Sequence, residues 1–180
     1  MNKIIGIVSV FFLIVVLIGC TSKTEMPVKM SKLKHSTSFT FEQPAEVMFP
    51  LFTAEGEKLW APGWDYQNIM GYTEQHENYV FVTKAHGHAS SDAIWLVKQY
   101  DPKSYFVEYY KVEPKTLVSI VTVKCTKITD HSTQITVGYE YIGLSKKGNE
   151  FIEEHRAKEK YKSYIQEWKK HLLIYFKSKG

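Results

Sequence analysis

Two adjacent segments decide the fold of this chain: LVSIVTVKCTKI at 117–128 and TQITVGYEYI at 133–142. Both are rich in β-branched and aromatic residues, and the connection through Asp130-His131-Ser132 is short, so they predict two antiparallel strands joined by a hairpin. Three earlier segments have the same composition and are bounded by Gly, Asp, Pro or Ser: NYVFVTKA at 78–85, DAIWLVKQY at 92–100 and YFVEYYKV at 105–112. Because no helical segment intervenes, we predict an antiparallel meander of strands.

The sequence after Gly143 predicts a helix that continues to near the end of the chain. Ser145 is a suitable N-cap, and lysines are concentrated in the last turns, where they complement the helix dipole. Large side chains recur every three or four residues and form one apolar and aromatic face: Tyr161, Tyr164, Ile165, Trp168, Leu172, Tyr175 and Phe176. We expect this face to cover the sheet.

The segment before the meander predicts a first strand and two short helices. The strand is expected at 33–41, where LKHSTSFTF is rich in threonine, serine and phenylalanine. One helix is expected to begin at Pro44, and a second to occupy 54–60 before the turn Pro62-Gly63. This order of elements is that of the α+β helix-grip fold, in which a curved antiparallel sheet wraps around the last helix. We predict one such domain at 32–180.

Short motifs along the chain support this fold independently. They are FPLFT at 49–53, EKLW at 57–60, PGWD at 62–65, and AIWLV at 93–97 followed by Tyr100-Asp101. Together they resemble the SRPBCC superfamily, which groups START-like and Bet v 1-like ligand-binding domains, and WAPGWD at 60–65 is the most distinctive of them. The resemblance implies a cavity between the sheet and the long helix that holds an apolar small molecule such as a lipid, a sterol or a polyketide. Many members of that superfamily are binders or carriers and some are cyclases or dehydratases, without a shared catalytic signature.

The aromatic residues supply the candidates for a pocket wall. The chain has twelve tyrosines, ten phenylalanines and four tryptophans, and such side chains line ligand pockets as readily as they fill cores. The pocket candidates are Trp60, Trp64, Trp95, Tyr109, Tyr139, Tyr141, Tyr164 and Trp168. The alternative is that these rings pack the core and leave no cavity. Strand alternation places Glu108 and Glu140 on the face opposite the tyrosines, so we expect both carboxylates to face solvent.

Catalytic and metal-binding motifs are sparse. His86-Gly87-His88 places two imidazoles on one face of an extended segment, but no third ligand is evident, so these histidines are interpreted as loop or pocket-rim residues and no metal or cofactor is predicted. His86 is the candidate general base if the domain is an enzyme. Cys125 lies within a strand and is expected to be a small buried hydrophobe rather than a nucleophile.

The N-terminus predicts export and lipid anchoring. The segment has the order of a secretory signal: a positive charge at Lys3, an apolar stretch at 4–18 and a small residue, Gly19, before Cys20. Leu17-Ile18-Gly19-Cys20 resembles the lipobox of bacterial lipoproteins. The prediction is therefore a signal peptide at 1–19, lipid attachment at Cys20 and a flexible linker at 20–31. A plain signal-anchor with an incidental cysteine is the alternative. Thr21, in place of an aspartate, favours the outer membrane if the cell has one.

The charge of the chain argues against a nucleic-acid partner. The net charge is +4, yet the lysines are scattered and do not interleave with aromatic residues in a recognisable motif. The function we expect is a membrane-tethered binding or carrier domain for a hydrophobic or amphipathic, lipid-like small molecule. Two alternatives stay open: an enzyme of the cyclase or dehydratase type, and an envelope protein-interaction module with a filled cavity.

Overall fold

The computed structural model describes residues 29–72, 74–87 and 89–179. The predicted signal sequence, Cys20 and His88 lie outside the described residues, as does most of the predicted linker. Within the described part, the strands are β1 (Lys32–Phe41), β2 (Tyr66–Asn68), β3 (Val80–Thr83), β4 (Ala93–Asp101), β5 (Phe106–Glu113), β6 (Leu117–Thr129) and β7 (Ser132–Gly143).

All of these strands form one antiparallel sheet in the order β1-β7-β6-β5-β4-β3-β2. The first strand lies beside the last, with Lys32 opposite Ile142 and Phe41 opposite Thr133. Register shifts occur between β4 and β5 and between β6 and β7, and such irregularities bend strands. The predicted strands and their antiparallel pairing are confirmed, whereas β2 was not predicted because three residues are too few to display a period.

The helices lie before and after this meander. They are α1 (Ala45–Met48), a 3₁₀ helix (Phe49–Phe52), α2 (Ala54–Glu57), α3 (Lys146–His155) and α4 (Lys158–Lys177). Four residues of α4 are buried at spacings of four, three and four, as the sequence predicts: Tyr161, Ile165, Trp168 and Leu172. The sheet, the short helices and the long final helix confirm the helix-grip fold. None of the helices in the described ranges is long and apolar enough to cross a membrane.

The expected single C-terminal helix is wrong, because the chain breaks between α3 and α4 at Arg156-Ala157. The guanidinium carbon of Arg156 lies 4.7 Å from the centroid of the Phe151 ring, and its carbonyl oxygen lies 3.0 Å from Nε2 of His35. These contacts hold Arg156 in a buried position at the break. Neither Gly nor Pro marks this position, so the local sequence contains no signal for the break.

Helix α2 packs directly on the 3₁₀ helix before it. A Cβ atom on Gly56 would lie 2.0 Å from the carbonyl oxygen of Pro50, so only glycine permits this approach. The side chain of Thr53 caps α2, because its Oγ1 accepts a hydrogen bond from the backbone N–H of Gly56 at 3.0 Å. The next residue, Glu57, is thereby fixed in place beside the sheet.

Candidate functional site

A cavity of about 190 Å³ lies between α2, the inner face of the sheet and α4. All the aromatic pocket candidates line it: Trp60, Trp64, Trp95, Tyr109, Tyr139, Tyr141, Tyr164 and Trp168. The structure therefore brings together side chains from widely separated parts of the sequence. Their contact with a ligand remains a prediction.

A second pocket, of about 450 Å³, adjoins this cavity on the outside. The two share walls made by Gly87 and Ala89 on one side and by Arg156, Tyr164 and Glu167 on the other. The inner cavity thus opens between the β3–β4 connection and the break that separates α3 from α4. The unpredicted helix break forms part of this opening.

The indole N–H groups of the wall bond to the protein and not into the cavity. Nε1 of Trp60 donates to the carbonyl oxygen of Leu51 at 2.7 Å, and Nε1 of Trp64 donates to that of Ala54 at 2.8 Å. Nε1 of Trp95 donates to Oγ1 of Thr83 at 3.0 Å. Because each ring is held by a hydrogen bond, the wall is apolar and its shape is fixed.

The tyrosines of the wall form a buried hydroxyl network. The hydroxyl of Tyr109 donates to the carbonyl oxygen of Phe52 at 2.8 Å and accepts from Nε2 of Gln75 at 2.8 Å. Burial raises the pKa of Tyr164. The hydrogen bonds that its hydroxyl accepts from Trp168 and Tyr139 act to lower this pKa, but burial has the larger effect. These phenols therefore stay protonated across the physiological range.

A buried ion pair lies in the same wall. Nζ of Lys111 is 2.7 Å from Oε1 of Glu113, and Glu113 is only 1% exposed. Burial raises the pKa of Glu113, but Lys111 and hydrogen bonds from the side chain and backbone of Ser90 outweigh this effect and lower it. Glu113 is therefore ionised, and it links the β3–β4 connection to the wall of the cavity.

Glu57 has no such partner among the described residues. It lines the cavity from α2 and is half-buried by surface area, but it is surrounded deeply enough that burial raises its pKa to about 8. Lys111 acts in the opposite direction and only partly offsets the burial. A carboxyl group in this state can donate a hydrogen bond, exchange a proton near neutral pH, or become the counter-ion of a bound cation.

His86, the candidate general base, lies at the rim of the cavity. The His86 ring lies 5.3 Å from the Trp64 ring, and its Nδ1 lies 2.8 Å from the carbonyl oxygen of Lys84. Among the described side chains, no three His, Cys, Asp or Glu residues are grouped as a metal site requires.

Cys125 is buried within β6 as expected, and burial raises the pKa of its thiol to about 12, so the thiolate is not accessible near neutral pH.

Four charged residues of the cavity were not predicted from the sequence: Glu57, Lys111, Glu113 and Arg156. A signal was present for two of them, because the alternation that places Tyr109 on the inner face of β5 also places Lys111 and Glu113 there. Glu57 is three residues from both Ala54 and Trp60, on the same face of the predicted helix. The position of Arg156 had no such signal.

Glu108 and Glu140 are half-buried on the outer face, where each pairs with a lysine.

Comparison with known proteins identifies the fold. No family model matches the chain, and no curated protein matches it in sequence. Among solved structures, norcoclaurine synthase from Thalictrum flavum is similar with a TM-score of 0.55 and 12% identity over 87% of each chain. The Zhui aromatase/cyclase from Streptomyces sp. R1128 has a TM-score of 0.51 and 12% identity, over 82% of this chain and 91% of its own.

A third similar structure is Ara h 8.0201, with a TM-score of 0.53 and 15% identity over 64% of this chain and 80% of that one. At such identities the likeness concerns the fold alone. The chain therefore has the helix-grip fold of Bet v 1-like proteins and polyketide aromatase/cyclases.

Proposed function

We propose that this chain binds or carries a small hydrophobic or amphipathic molecule in the cavity between the sheet and α4. The observation that supports this most directly is the aromatic cavity itself, with its opening between Gly87 and Arg156. A domain whose large rings only filled the core would leave no such space. The similar structures support the proposal only through their shared fold.

The volume of the cavity limits the ligand. A cavity of about 150 Å³ holds benzene, so the inner cavity of about 190 Å³ takes a group of about one ring. The outer pocket of about 450 Å³ accommodates a longer part of the same molecule. Together they reach the range of about 300–1,000 Å³ that small-molecule sites commonly occupy.

Burial of apolar surface would supply most of the binding free energy, and polar groups would set the orientation. The hydroxyl of Tyr109 already has both a donor and an acceptor partner in the protein. Glu57, which has no hydrogen-bond partner among the described residues, is better suited to orient a ligand. The ligand we propose therefore combines an apolar body with one polar group.

Native mass spectrometry of the full chain from its own host tests this proposal. The variant Val121→Phe adds bulk to the cavity wall, whereas Ile120→Phe places the same aromatic ring on the outer face of β6. We expect a small-molecule passenger on the parent chain and on Ile120→Phe, and its loss from Val121→Phe. The proposal fails if no passenger is found and if no hydrophobic probe changes the fluorescence of the tryptophans, all four of which line the cavity.

The location we propose for this domain is the cell envelope, where the lipid on Cys20 would hold it outside the cytoplasm. The support is the order of charged, apolar and small residues before Cys20. Two or more acyl chains give stable anchoring, at about 0.8 kcal/mol for each buried methylene. Metabolic labelling with an alkyne fatty acid should mark the parent chain and not Cys20→Ala; equal labelling of both would contradict lipid attachment at this residue.

Acid–base catalysis on the bound molecule is a second candidate function, and Glu57 is the observation that favours it. A carboxyl group with a pKa near neutrality can both take and give a proton, whereas His86 lies at the rim. If the domain is such an enzyme, the recovered passenger changes mass on incubation with the parent chain and remains unchanged with Glu57→Gln. An equal rate with both would exclude Glu57 as the catalytic acid or base.

A further inference from the structure

The charged residues of the cavity include one more carboxyl group than lysine and arginine side chains. Apart from its two histidines, the described lining has three carboxyl groups, one lysine and one arginine: Glu57, Glu113, Glu167, Lys111 and Arg156. Lys111 is already paired with Glu113 at 2.7 Å. When Glu57 ionises, the carboxylates outnumber the cations by one. A bound monocation would balance the charge of the Glu57 carboxylate.

The walls around Glu57 suit an organic cation. Aromatic rings attract positive charge through their π faces, most strongly when water is excluded. The same walls already hold cations of the protein itself: Nζ of Lys111 lies 5.4 Å from the centroid of the Trp95 ring, and the guanidinium carbon of Arg156 lies 5.5 Å from that of Tyr141. Glu57 is the carboxyl group in this surrounding for which the described residues provide no hydrogen bond or ion pair.

We infer that the cavity binds an organic ammonium ion with an apolar or aromatic body, whose positive charge lies between the Glu57 carboxylate and the surrounding rings. This inference rests on the proposed binding function and narrows the ligand to one charge class. A neutral molecule would leave Glu57 protonated.

Cation binding at this site is coupled to release of a proton. Burial raises the pKa of Glu57 to about 8, so the group is mostly neutral near pH 7 and becomes ionised when a cation binds beside it. Lys111 on β5 acts on Glu57, and Glu57 in turn acts to raise the pKa of Tyr109 on β5, Tyr139 on β7 and Tyr164 on α4. Burial raises the pKa of each of these tyrosines, so they stay protonated. The other titratable groups of the cavity are His86, Glu113, Arg156, Glu167 and His171.

The test uses two probes of the same shape. Phenyltrimethylammonium carries a fixed positive charge and has no proton to lose, and tert-butylbenzene is its neutral counterpart. Each is titrated into the full chain at pH 7 with tryptophan fluorescence as the readout. Calorimetry in phosphate and in Tris then counts the protons released. We expect phenyltrimethylammonium to release about one proton on binding to the parent chain.

Two variants separate the Glu57 effect from other causes. Glu57→Gln keeps the shape of the side chain and should weaken binding of phenyltrimethylammonium by about ten-fold or more, remove the proton release and change the affinity for tert-butylbenzene by less than about three-fold. Glu55→Gln is the matched control, because Glu55 lies on the same helix but bonds to Tyr66 and Lys58 outside the cavity. Glu55→Gln should behave as the parent chain.

The outcomes distinguish the inference from the function on which it rests. If both probes bind and Glu57→Gln weakens them equally or not at all, the ammonium inference is overturned while the binding function stands. If neither probe binds but native mass spectrometry finds a passenger, only the ammonium inference is overturned. If neither probe binds and no passenger is found, both are overturned. A selective loss of the cation with Glu57→Gln, together with loss of the released proton, supports the inference.

Discussion

The inner face of the sheet differs between the two ends of β5, β6 and β7. At one end Val107, Val123 and Val137 lie side by side in register, and each is at most 1% exposed. Cys125 lies opposite Ile135 in the next position and is equally buried. We call these positions the closed rows, because they are apolar and, apart from Val123 at the edge of the cavity, do not line it.

Toward the other end, the same strands present rings and polar groups in register. The open rows are Tyr109, Val121 and Tyr139, followed by Lys111, Ser119 and Tyr141, and all six of these residues line the cavity. Polar groups cost free energy when they are buried without partners, and packed methyl groups do not. The closed rows are therefore expected to carry the stability of the fold, and the open rows to carry the binding site.

The largest expected effect on stability comes from breaking the ion pair between Lys111 of the open rows and Glu113. Lys111→Met leaves the Glu113 carboxylate buried without its cation, so we expect a loss of roughly 3–5 kcal/mol in the free energy of unfolding, measured by urea titration. The double variant Lys111→Met/Glu113→Gln removes both charges and should recover most of this loss. A double variant as unstable as Lys111→Met would show that lost packing, not the unpaired charge, causes the effect.

Glu57 lies on α2 and lines the cavity opposite the open rows. It should make the free energy of unfolding depend on pH. Its pKa is raised from 4.5 to about 8, so the folded state keeps a proton that the unfolded state has lost between these values. The stability of the parent chain should therefore fall, relative to Glu57→Gln, as the pH rises from about 5 to 8, and the difference should level off above that.

The size of this difference is limited by the pKa shift itself. We expect Glu57→Gln to be more stable than the parent chain at pH 9 by roughly 2–4 kcal/mol, below the limit of about 5 kcal/mol that the shift implies. At pH 4.5 the two should be nearly equal. A constant difference at all pH values would mean that Glu57 has the same proton affinity in the folded and unfolded states. Urea unfolding at several pH values measures this.

The sequence predicted the closed rows better than the open ones. Strand alternation and β-branched composition identify β5, β6 and β7 and their inner apolar positions, and the three-and-four spacing of Tyr161, Ile165 and Trp168 identifies the helix that covers them. These patterns repeat along the chain, so each residue reinforces the assignment of the next. The strands of the meander and the covering helix could therefore be derived from local patterns, whereas β2 and the break between α3 and α4 could not.

The polar part of the site could not be derived in the same way. Lys111 and Glu113 lie on the inner face of β5 by the same alternation, but the general preference of charged residues for solvent argued against that placement. Their burial depends on a partner two residues away and on Ser90 from another segment. The carbonyl oxygen of Arg156 at the helix break contacts His35 of β1, and this contact is tertiary and leaves no local pattern.

Two valines allow a direct comparison of the closed and open rows. Val137→Ala and Val121→Ala remove the same atoms from positions that are 0% and 2% exposed, but only Val121 lines the cavity. Methyl groups beside a cavity have fewer contacts to lose, so we expect about 2 kcal/mol for Val137→Ala and about 1 kcal/mol for Val121→Ala. Equal losses in urea unfolding would indicate that the cavity is closed in solution.

The smallest expected effect is at the outer face of the same sheet, where the Lys98–Glu108 ion pair has a geometry close to that of Lys111–Glu113. The nitrogen–oxygen distances are 2.5 Å and 2.7 Å, but the side chain of Lys98 is 50% exposed and that of Lys111 only 11%. Hydrogen bonding to Glu108 raises the pKa of Lys98, yet water solvates both partners when the pair is broken. We therefore expect Lys98→Met to unfold at the same urea concentration as the parent chain, within error. A loss equal to that of Lys111→Met would mean that the distance between the charges, not their burial, sets the cost. The contrast between the inner and outer faces would then have to be explained without desolvation.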